Sequence, residues 1–346
     1  MTTSEKIETL DVINKLPDEL LISIFKLLPL ESLLHSENVC KRWRKLVQDK
    51  TLWKNIVLVY SGKPGQSEDC HRNIEILLSH SELVHCLKLQ YVYNYSLSKL
   101  IAGYCDNLIS LELVMCSINK SFGDDITKWP NLKKLNLKNS VYHNMPVEME
   151  IPYNKFKYLE YLALSDFGLS STNCNDLLQC KYLSHILIEK IKNLNLDYVR
   201  ELICSKQNIL ETLHIYGGAA VDDHCLQLLS QCRRLKDLAI TRCENLKDEG
   251  LVALANLQQI KHLQIWNNKN FTEKNLLRTL SSPNIIKLET LSLSKIENIS
   301  PVIVDVISEY YKNLKFLAVY QCRNIVNTDY EKQLKSKFRN IDVVLY

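Results

Sequence analysis

The sequence predicts an α/β fold in which a short helical unit is followed by a curved solenoid, with parallel strands on the concave face and helices on the convex face. Three observations support this prediction. A leucine pattern recurs at a nearly constant interval over most of the chain, helix-like stretches lie between its copies, and the first part of the chain breaks the interval. An internal repeat takes precedence over other sequence features because it determines the whole architecture.

The repeat is the pattern L-x-x-L-x-L, in which Ile or Val can replace Leu. Starting from an altered copy at Leu83/Leu87/Leu89, the middle residues of successive copies lie 24 to 28 positions apart, an interval typical of leucine-rich repeats. A second altered copy, Ile341/Val343/Leu345, looks like the opposite end of the array. The middle residues of the nine regular copies are Leu111, Leu135, Leu162, Ile186, Leu213, Leu238, Leu263, Leu291 and Leu317.

The spacing within each copy explains the fold. Alternate side chains of a strand point to opposite sides, so the last two leucines of each copy face inward and their neighbours face outward. One unit cannot bury its leucines alone, but stacked units form a continuous apolar core, in which each buried Leu contributes roughly 1.5–3 kcal/mol. We therefore expect a solenoid of parallel strands.

The second half of each unit is predicted to be helical. Residues 222–230 and 248–254 carry apolar side chains at helical spacing after an acidic start. Residues 235–251, with Cys243, resemble the cysteine-containing class of leucine-rich repeats. Lys190-Ile191 and Asn267-Asn268 stand where that class has cysteine, so the subclass is less well defined than the fold.

Residues 12–57 break the repeat interval and are predicted to form a compact helical unit. Leu16-Pro17-Asp18-Glu19-Leu20 suits a helix start, because proline fits the first turn and acidic residues favour the positive helix end. The apolar stripe of this helix ends at Pro29. Further helices are expected over 31–37 and 40–48, and 49–58 should lead directly into a first strand without a flexible linker.

Three stretches of this unit, 16–25, 39–43 and 52–53, together resemble the F-box of the F-box and leucine-rich-repeat family. In that family the F-box docks on a Skp adaptor, which binds a cullin that carries the RING subunit. The resemblance implies that the chain selects substrates for an SCF-type ubiquitin ligase. It assigns the following residues to the adaptor interface or to the small core behind it, two roles that the sequence does not separate: Leu16, Pro17, Leu20, Ile24, Leu28, Leu33, Val39, Cys40, Trp43 and Leu46. A plain helical cap for the solenoid is the simpler alternative.

We expect four segments. They are an amino-terminal tail at 1–11, the F-box at 12–57, a first atypical repeat unit with a loop at 58–82, and leucine-rich repeats with a carboxyl-terminal cap at 83–346. We call each repeat unit, with its strand, a rung. Residues 61–69, rich in Gly, Pro and Ser, are predicted to be an exposed loop. Lys335, Lys337 and Arg339 make the carboxyl end basic, which favours a solvated cap helix over a docking site.

A protein substrate is expected on the concave face of the late repeats. Aromatic residues follow the third leucine in alternate late copies, and aromatic anchors with polar neighbours are typical of binding hot spots. The alternative is that exposed strands simply favour aromatic residues. The predicted substrate-binding residues are His214, Tyr216, His262, Gln264, Trp266, Phe316 and Tyr320.

Composition limits the other possibilities. The net charge of +4 is too small to indicate nucleic acid or a membrane surface as the main partner. The sequence has neither a signal peptide nor a long apolar run, which predicts an intracellular protein, cytoplasmic and/or nuclear. The twelve cysteines, without a Cys-x-x-Cys pair, are then expected to be reduced thiols rather than disulfides.

No enzyme is predicted. A catalytic cysteine needs a lowered pKa and an adjacent base, whereas Cys105, Cys180, Cys232, Cys116, Cys243 and Cys322 occupy repeat positions that are expected to be buried. Cys70-His71 and His85-Cys86 are adjacent pairs rather than spaced ligands, so neither a metal nor another cofactor is expected. A leucine-rich-repeat scaffold or inhibitor that binds the adaptor without driving degradation remains the second hypothesis.

Overall fold

The computed structural model describes residues 13–63, 67–142, 150–166, 168–191, 194–217, 220–243, 245–326, 328–338 and 341–344. The helices are α1 (Asp18–Phe25), α2 (Leu30–Ser36), α3 (Lys41–Val47), α4 (Lys50–Trp53), α5 (Ser67–His80), α6 (Tyr95–Gly103), α7 (Phe122–Asp125), α8 (Ser171–Gln179), α9 (Leu196–Lys206), α10 (Asp223–Leu229), α11 (Asp248–Ala253), α12 (Glu273–Leu280), α13 (Pro301–Tyr310) and α14 (Asp329–Lys337). The strands are β1 (Val57–Ser61), β2 (Cys86–Gln90), β3 (Ser110–Val114), β4 (Ser117–Ile118), β5 (Lys134–Leu137), β6 (Val141–Tyr142), β7 (Tyr161–Ser165), β8 (His185–Glu189), β9 (Thr212–Tyr216), β10 (Asp237–Thr241), β11 (His262–Trp266), β12 (Thr290–Ser292), β13 (Phe316–Ala318) and β14 (Asp342–Val344). Single 3-10 turns lie at Ile13–Lys15, Ser81–Leu83, Ile126–Lys128, Tyr153–Lys155, Leu254–Asn256 and Ile285–Lys287.

All of these strands except β4 and β6 form one parallel sheet, in the order in which they occur along the chain. Twelve strands take part, and β4 and β6 form a separate parallel pair. Equivalent leucines pair across neighbouring strands, as in Leu111 with Leu135 and Leu238 with Leu263. The predicted solenoid of parallel strands and helices, preceded by a helical unit, is confirmed.

The inward leucines form the core that the repeat predicts. The middle residue of each regular copy is buried, and one apolar cluster extends from Leu21 in α1 to Phe338 after α14. Neighbouring strands are about 4.8 Å apart, whereas packed helices need 8–10 Å. Stacking therefore places the sheet on the inside of the curve, and we call its outward-facing side the concave face.

A residue with left-handed backbone geometry follows β2 and each strand of the nine regular rungs. These residues have φ between 50° and 86°, and Gly217 is the glycine among them. The backbone N–H of nine of these residues donates to the next rung, as from Lys190 to Tyr216 O (2.9 Å) and from Gly217 to Thr241 O (3.1 Å). A left-handed residue other than glycine costs roughly 1–2 kcal/mol, which these inter-rung hydrogen bonds help to offset. The residues concerned are Tyr91, Met115, Asn139, Asp166, Lys190, Gly217, Arg242, Asn267, Lys295 and Gln321.

The cysteines of the repeats are buried, as predicted. Cys116 donates from Sγ to Leu89 O (3.3 Å), and Cys322 donates to Leu293 O (3.1 Å), in each case on the preceding rung. Ser140 and Asn268 do the same in other rungs, through Oγ to Leu113 O (2.8 Å) and through Nδ2 to Cys243 O (3.2 Å). These two rungs, which lack the cysteine, thus keep a side-chain hydrogen bond to the preceding rung.

The structure differs from the predicted elements in three places. Helix α1 ends at Phe25, because the next residues turn before Pro29. A single helical turn, α4, precedes β1, because Asp49 caps it by accepting from Thr51 N (2.8 Å). Helix α5 begins at Ser67, where a loop was predicted to continue to residue 69. The predicted tail at 1–11 and Arg339 lie outside the described residues.

Removing a central inward leucine should test the repeat core. We expect Leu238→Ala to lower the free energy of unfolding by about 2–5 kcal/mol, because the side chain is fully buried between sheet and helices. Chemical denaturation followed by circular dichroism measures this change. Leu100→Ala, on the exposed side of α6, should change the value by less than about 0.5 kcal/mol. Equal losses in both variants would contradict this view of the core.

Candidate functional site

The helical start of the chain exposes an apolar surface. In α1, Leu21 and Phe25 face the core, whereas Leu20 is 52% exposed on the other side of the helix. Leu27, just after α1, is 84% exposed, and Val39, just before α3, is 58% exposed. Large apolar side chains that stay in water this way mark a surface that a partner can cover. We call Leu20, Ile24, Leu27 and Val39 the apolar face.

Side chains of α3 hold the segment that begins this surface. Arg42 donates from Nη2 to Leu16 O and to Asp18 Oδ1, both at 2.6 Å. Cys40 caps α3, since its Sγ accepts from Trp43 N (3.4 Å), and the Trp43 ring meets Phe25 edge-on at 5.1 Å. These contacts fix the Leu-Pro-Asp turn relative to α3.

The structure sorts the ten residues assigned to this unit by resemblance. Pro17, Leu20, Ile24 and Val39 are exposed, and Leu16, Leu28, Cys40 and Trp43 are half-buried. Leu33 and Leu46 are buried within the chain and therefore belong to the core behind the surface. The sequence assignment missed Leu27, which is 84% exposed, more than any other large apolar residue in the described part of this unit. The apolar stripe of α1 is broad, so the sequence gave no signal to separate its buried part from its exposed part.

A set of close contacts joins the helical unit to the first rung. The fully buried Trp53 donates from Nε1 to Val47 O (2.8 Å), and its ring stacks on His80 at 4.8 Å. His80 Nε2 lies 2.8 Å from Glu37 Oε1, which connects α5 to the end of α2. Arg72 and Glu31 form a second link at 2.6 Å. The two parts of the chain therefore share one core.

The predicted substrate residues come together on the concave face. A concavity of about 650 Å³ lies over strands β9 to β14. We call it the aromatic concavity. Thr290, Ser292 and Ala318 form part of its floor, and these small side chains leave room between larger neighbours. Its lining includes six of the seven predicted residues: His214, His262, Gln264, Trp266, Phe316 and Tyr320.

Hydrogen bonds orient the polar groups of this concavity. Trp266 is 40% exposed and donates from Nε1 to Ser292 Oγ (2.5 Å), so one edge of the indole is fixed while part of its surface faces solvent. His262 Nδ1 lies 2.8 Å from Thr290 Oγ1. His214 Nε2 lies 2.9 Å from Asp237 Oδ1, a close contact that lacks hydrogen-bond geometry. The concavity thus combines apolar walls with a few fixed polar groups, as ligand sites in proteins commonly do.

Tyr216, the seventh predicted residue, lines a neighbouring concavity of about 670 Å³ at the carboxyl ends of the strands. We call this the carboxyl-edge concavity. Burial, together with the nearby carboxylates of Asp237 and Glu189, raises the pKa of Tyr216 to about 12. Trp266, Ser294 and Tyr320 line both concavities. The two therefore form one continuous surface.

Not every residue that follows the third leucine of its copy is exposed to a partner. Ser165, Thr241 and Ser294 follow the third leucine of their copies but are buried. Ser165 Oγ accepts from Asn139 N (2.5 Å), so this side chain stabilises a left-handed turn of the preceding rung. The small polar residues at this position are thus part of the scaffold. The larger side chains of Tyr216, Trp266 and Tyr320 at the same position reach the concave surface.

The buried thiols of the repeats have the properties of structural rather than reactive groups. Burial raises the pKa of Cys105, Cys232 and Cys243 to about 12. The eleven cysteines whose side chains the structure describes are free thiols, not disulfides.

Among all residues that the structure describes, no group of three or more His, Cys, Asp or Glu side chains could hold a metal ion. Every described helix is too short or too polar to cross a membrane.

Alkylation rates should separate these thiols. At pH 8 a thiol with a pKa of about 12 is roughly one ten-thousandth thiolate, and burial also blocks the reagent. We expect the exposed Cys204 to react with iodoacetamide well before Cys105, Cys232 and Cys243, which should react only after unfolding. Peptide mass spectrometry over time measures the order. Rapid modification of a buried thiol in the folded chain would contradict the structural role.

Loss of His80 should weaken the connection between the helical unit and the first rung. His80→Ala removes both the stack on Trp53 and the contact with Glu37, so we expect a loss of about 1–2 kcal/mol in unfolding free energy. Denaturation followed by tryptophan fluorescence measures it. The control is His224→Ala on the exposed side of α10, which should change the value by less than about 0.5 kcal/mol. An unchanged His80→Ala variant would argue against a shared core.

The chain is similar to known proteins in both of its parts. Residues 13–59 match the F-box-like family. F-box protein SKIP19 of Arabidopsis thaliana is 28% identical over 217 residues, which cover 53% of this chain and 70% of that protein. Putative F-box/LRR-repeat protein 9 of Arabidopsis thaliana is 25% identical over 68% of this chain and 89% of that protein. F-box/LRR-repeat protein 12 of Bos taurus is 22% identical, with coverage of 79% and 74%.

A solved structure has a similar overall fold. The crystal structure of the Rad7 and Elc1 complex in yeast contains a chain that matches 93% of this one, over 95% of its own length, with a TM-score of 0.51 and 15% sequence identity. At this identity the likeness concerns the fold alone. The helical start is thus an F-box-like domain joined to a leucine-rich-repeat solenoid, and the curated relatives of the chain are F-box and leucine-rich-repeat proteins.

Proposed function

We propose that this chain is the substrate-recognition subunit of an SCF-type ubiquitin ligase complex. Its F-box-like domain binds a Skp-family adaptor, and through it the cullin and RING subunits, while the repeats bind a protein substrate that is then ubiquitinated and degraded. The chain itself supplies binding surfaces and no catalytic group. A cytoplasmic or nuclear location belongs to the same proposal.

The observation that carries this proposal is the apolar face of a domain whose core is continuous with the solenoid. Leu20 remains exposed although Leu21 and Phe25 on the other side of α1 are buried. Val39, just before α3, is exposed as well. Burying such side chains on a partner contributes roughly 25 cal/mol per Å². Because Trp53 and His80 join this domain to the first rung, a substrate on the concave face would be held at a defined position relative to the ligase.

Charged substitutions on the apolar face should abolish adaptor binding without unfolding the chain. For Leu20→Asp/Val39→Asp we expect affinity for a purified Skp adaptor to fall at least about a hundredfold, because each change places an unpaired charge in the interface. Isothermal titration calorimetry measures the affinity, and circular dichroism checks the fold. The matched control, Leu100→Asp/Val302→Asp, alters two equally exposed residues of α6 and α13 and should bind normally. Equal affinities of the two double variants would contradict the proposal.

Assembly and substrate turnover distinguish a ligase subunit from a scaffold or inhibitor. Co-purification of cullin and RING subunits with the adaptor supports the ligase, whereas adaptor without cullin supports the scaffold. Deleting residues 1–57 would remove Trp53 from the core, so the Leu20→Asp/Val39→Asp variant is the better substrate trap. Proteins held by this variant should be ubiquitinated and turned over when the unaltered chain replaces it.

A further inference from the structure

Three polar side chains form a row along the carboxyl-edge concavity. Arg242, Asn267 and Lys295 follow strands β10, β11 and β12, and each has left-handed geometry with φ of 57°, 57° and 56°. Their backbone N–H groups donate to Trp266 O (3.1 Å), Ser294 O (3.0 Å) and Tyr320 O (2.8 Å). Since neighbouring strands are about 4.8 Å apart, the row spans roughly 10 Å. We call these residues the donor row.

The positive charges of the donor row are not paired with any nearby carboxylate that the structure describes. Glu189 is the one carboxylate among the described residues that line the carboxyl-edge concavity, and it already lies 3.5 Å from Lys138 and 3.6 Å from Lys190. Within the described part of the chain, no carboxylate forms an ion pair with Arg242 or Lys295. Lys295 instead lies over the Tyr320 ring, with Nζ 5.8 Å from its centre. The donor row can therefore accept an anion from a partner.

The donor row adjoins the apolar part of the same surface. Trp266 and Tyr320 line both concavities, and Ser294 lies between them in the shared wall. A side chain that enters the aromatic concavity would thus have its neighbours in sequence within reach of the donor row. A guanidinium, an amide and an ammonium group offer charge-assisted hydrogen bonds to a carboxylate or a phosphate.

We propose that the late rungs recognise a linear segment of the substrate in which an apolar side chain fills the aromatic concavity and an adjacent anionic group binds Arg242, Asn267 and Lys295. This inference rests on the proposed function and adds the chemical class of the substrate segment. The anionic group is a carboxylate of Asp or Glu, or the phosphate of a phosphorylated side chain.

Binding of short degenerate peptides to the intact chain tests the proposal. Each pool fixes a central Leu or Phe, followed by phosphoserine, Glu, Ser or Lys, and fluorescence anisotropy measures its affinity. We expect the phosphoserine or Glu pools to bind at least about tenfold more tightly than the Ser and Lys pools, because charged hydrogen bonds contribute more than neutral ones. A preference for phosphoserine over Glu assigns the anion to phosphate, and equal affinities assign it to carboxylates as well.

Two matched pairs of charge-reversal substitutions test whether the preference for anionic peptides depends on the donor row. Arg242→Glu/Lys295→Glu should remove the preference for anionic pools, whereas Lys287→Glu/Lys312→Glu changes the net charge equally at the other edge of the sheet and should preserve it. Trp266→Ala should weaken every pool. Equal binding of charged and neutral pools, equal losses in both charge reversals, or no binding of any pool at millimolar peptide overturns the proposal. Adaptor affinity, measured on the same preparations, shows separately whether the proposed function fails.

Discussion

Burial of the inward leucines between the sheet and the helices is the interaction on which the rest of this structure depends. No rung can shield its own leucines, so each rung is stable only against its neighbours. The same side chains align strands in register, as Leu238 with Leu263, and this register sets the position of every outward side chain on the concave face. The surfaces of the solenoid are therefore a direct consequence of its core.

The concave surface depends on which side chains are small. Ala318 lies beside Ser292 on the neighbouring strand, and both line the aromatic concavity. These small residues leave hollow space, and the large residues at the carboxyl ends, Trp266 and Tyr320, surround it. A solenoid with the same core but other outward residues would be flat here. Selectivity can thus change without any change in the fold.

The sequence was sufficient to predict the solenoid, its phase and six residues of the aromatic concavity, because a period of two within a strand and a constant interval between strands leave little choice. It could not predict the left-handed turns, since residues as different as Tyr91, Lys190 and Gly217 occupy them. Nor could it separate core from surface in α1, where Leu20 and Leu21 are chemically alike and differ only in direction. These features depend on contacts with a neighbouring rung or helix, and a short stretch of sequence does not reveal such contacts.

The shared core at Trp53 and His80 has a thermodynamic consequence. A ligand that binds only the native form of a protein stabilises it, and in a stacked array that gain passes from each unit to the next. An adaptor seated on the first helices would therefore suppress fraying of the nearest repeats most strongly and of the distant ones least. Hydrogen exchange would follow this gradient along the chain, with protection declining from one rung to the next.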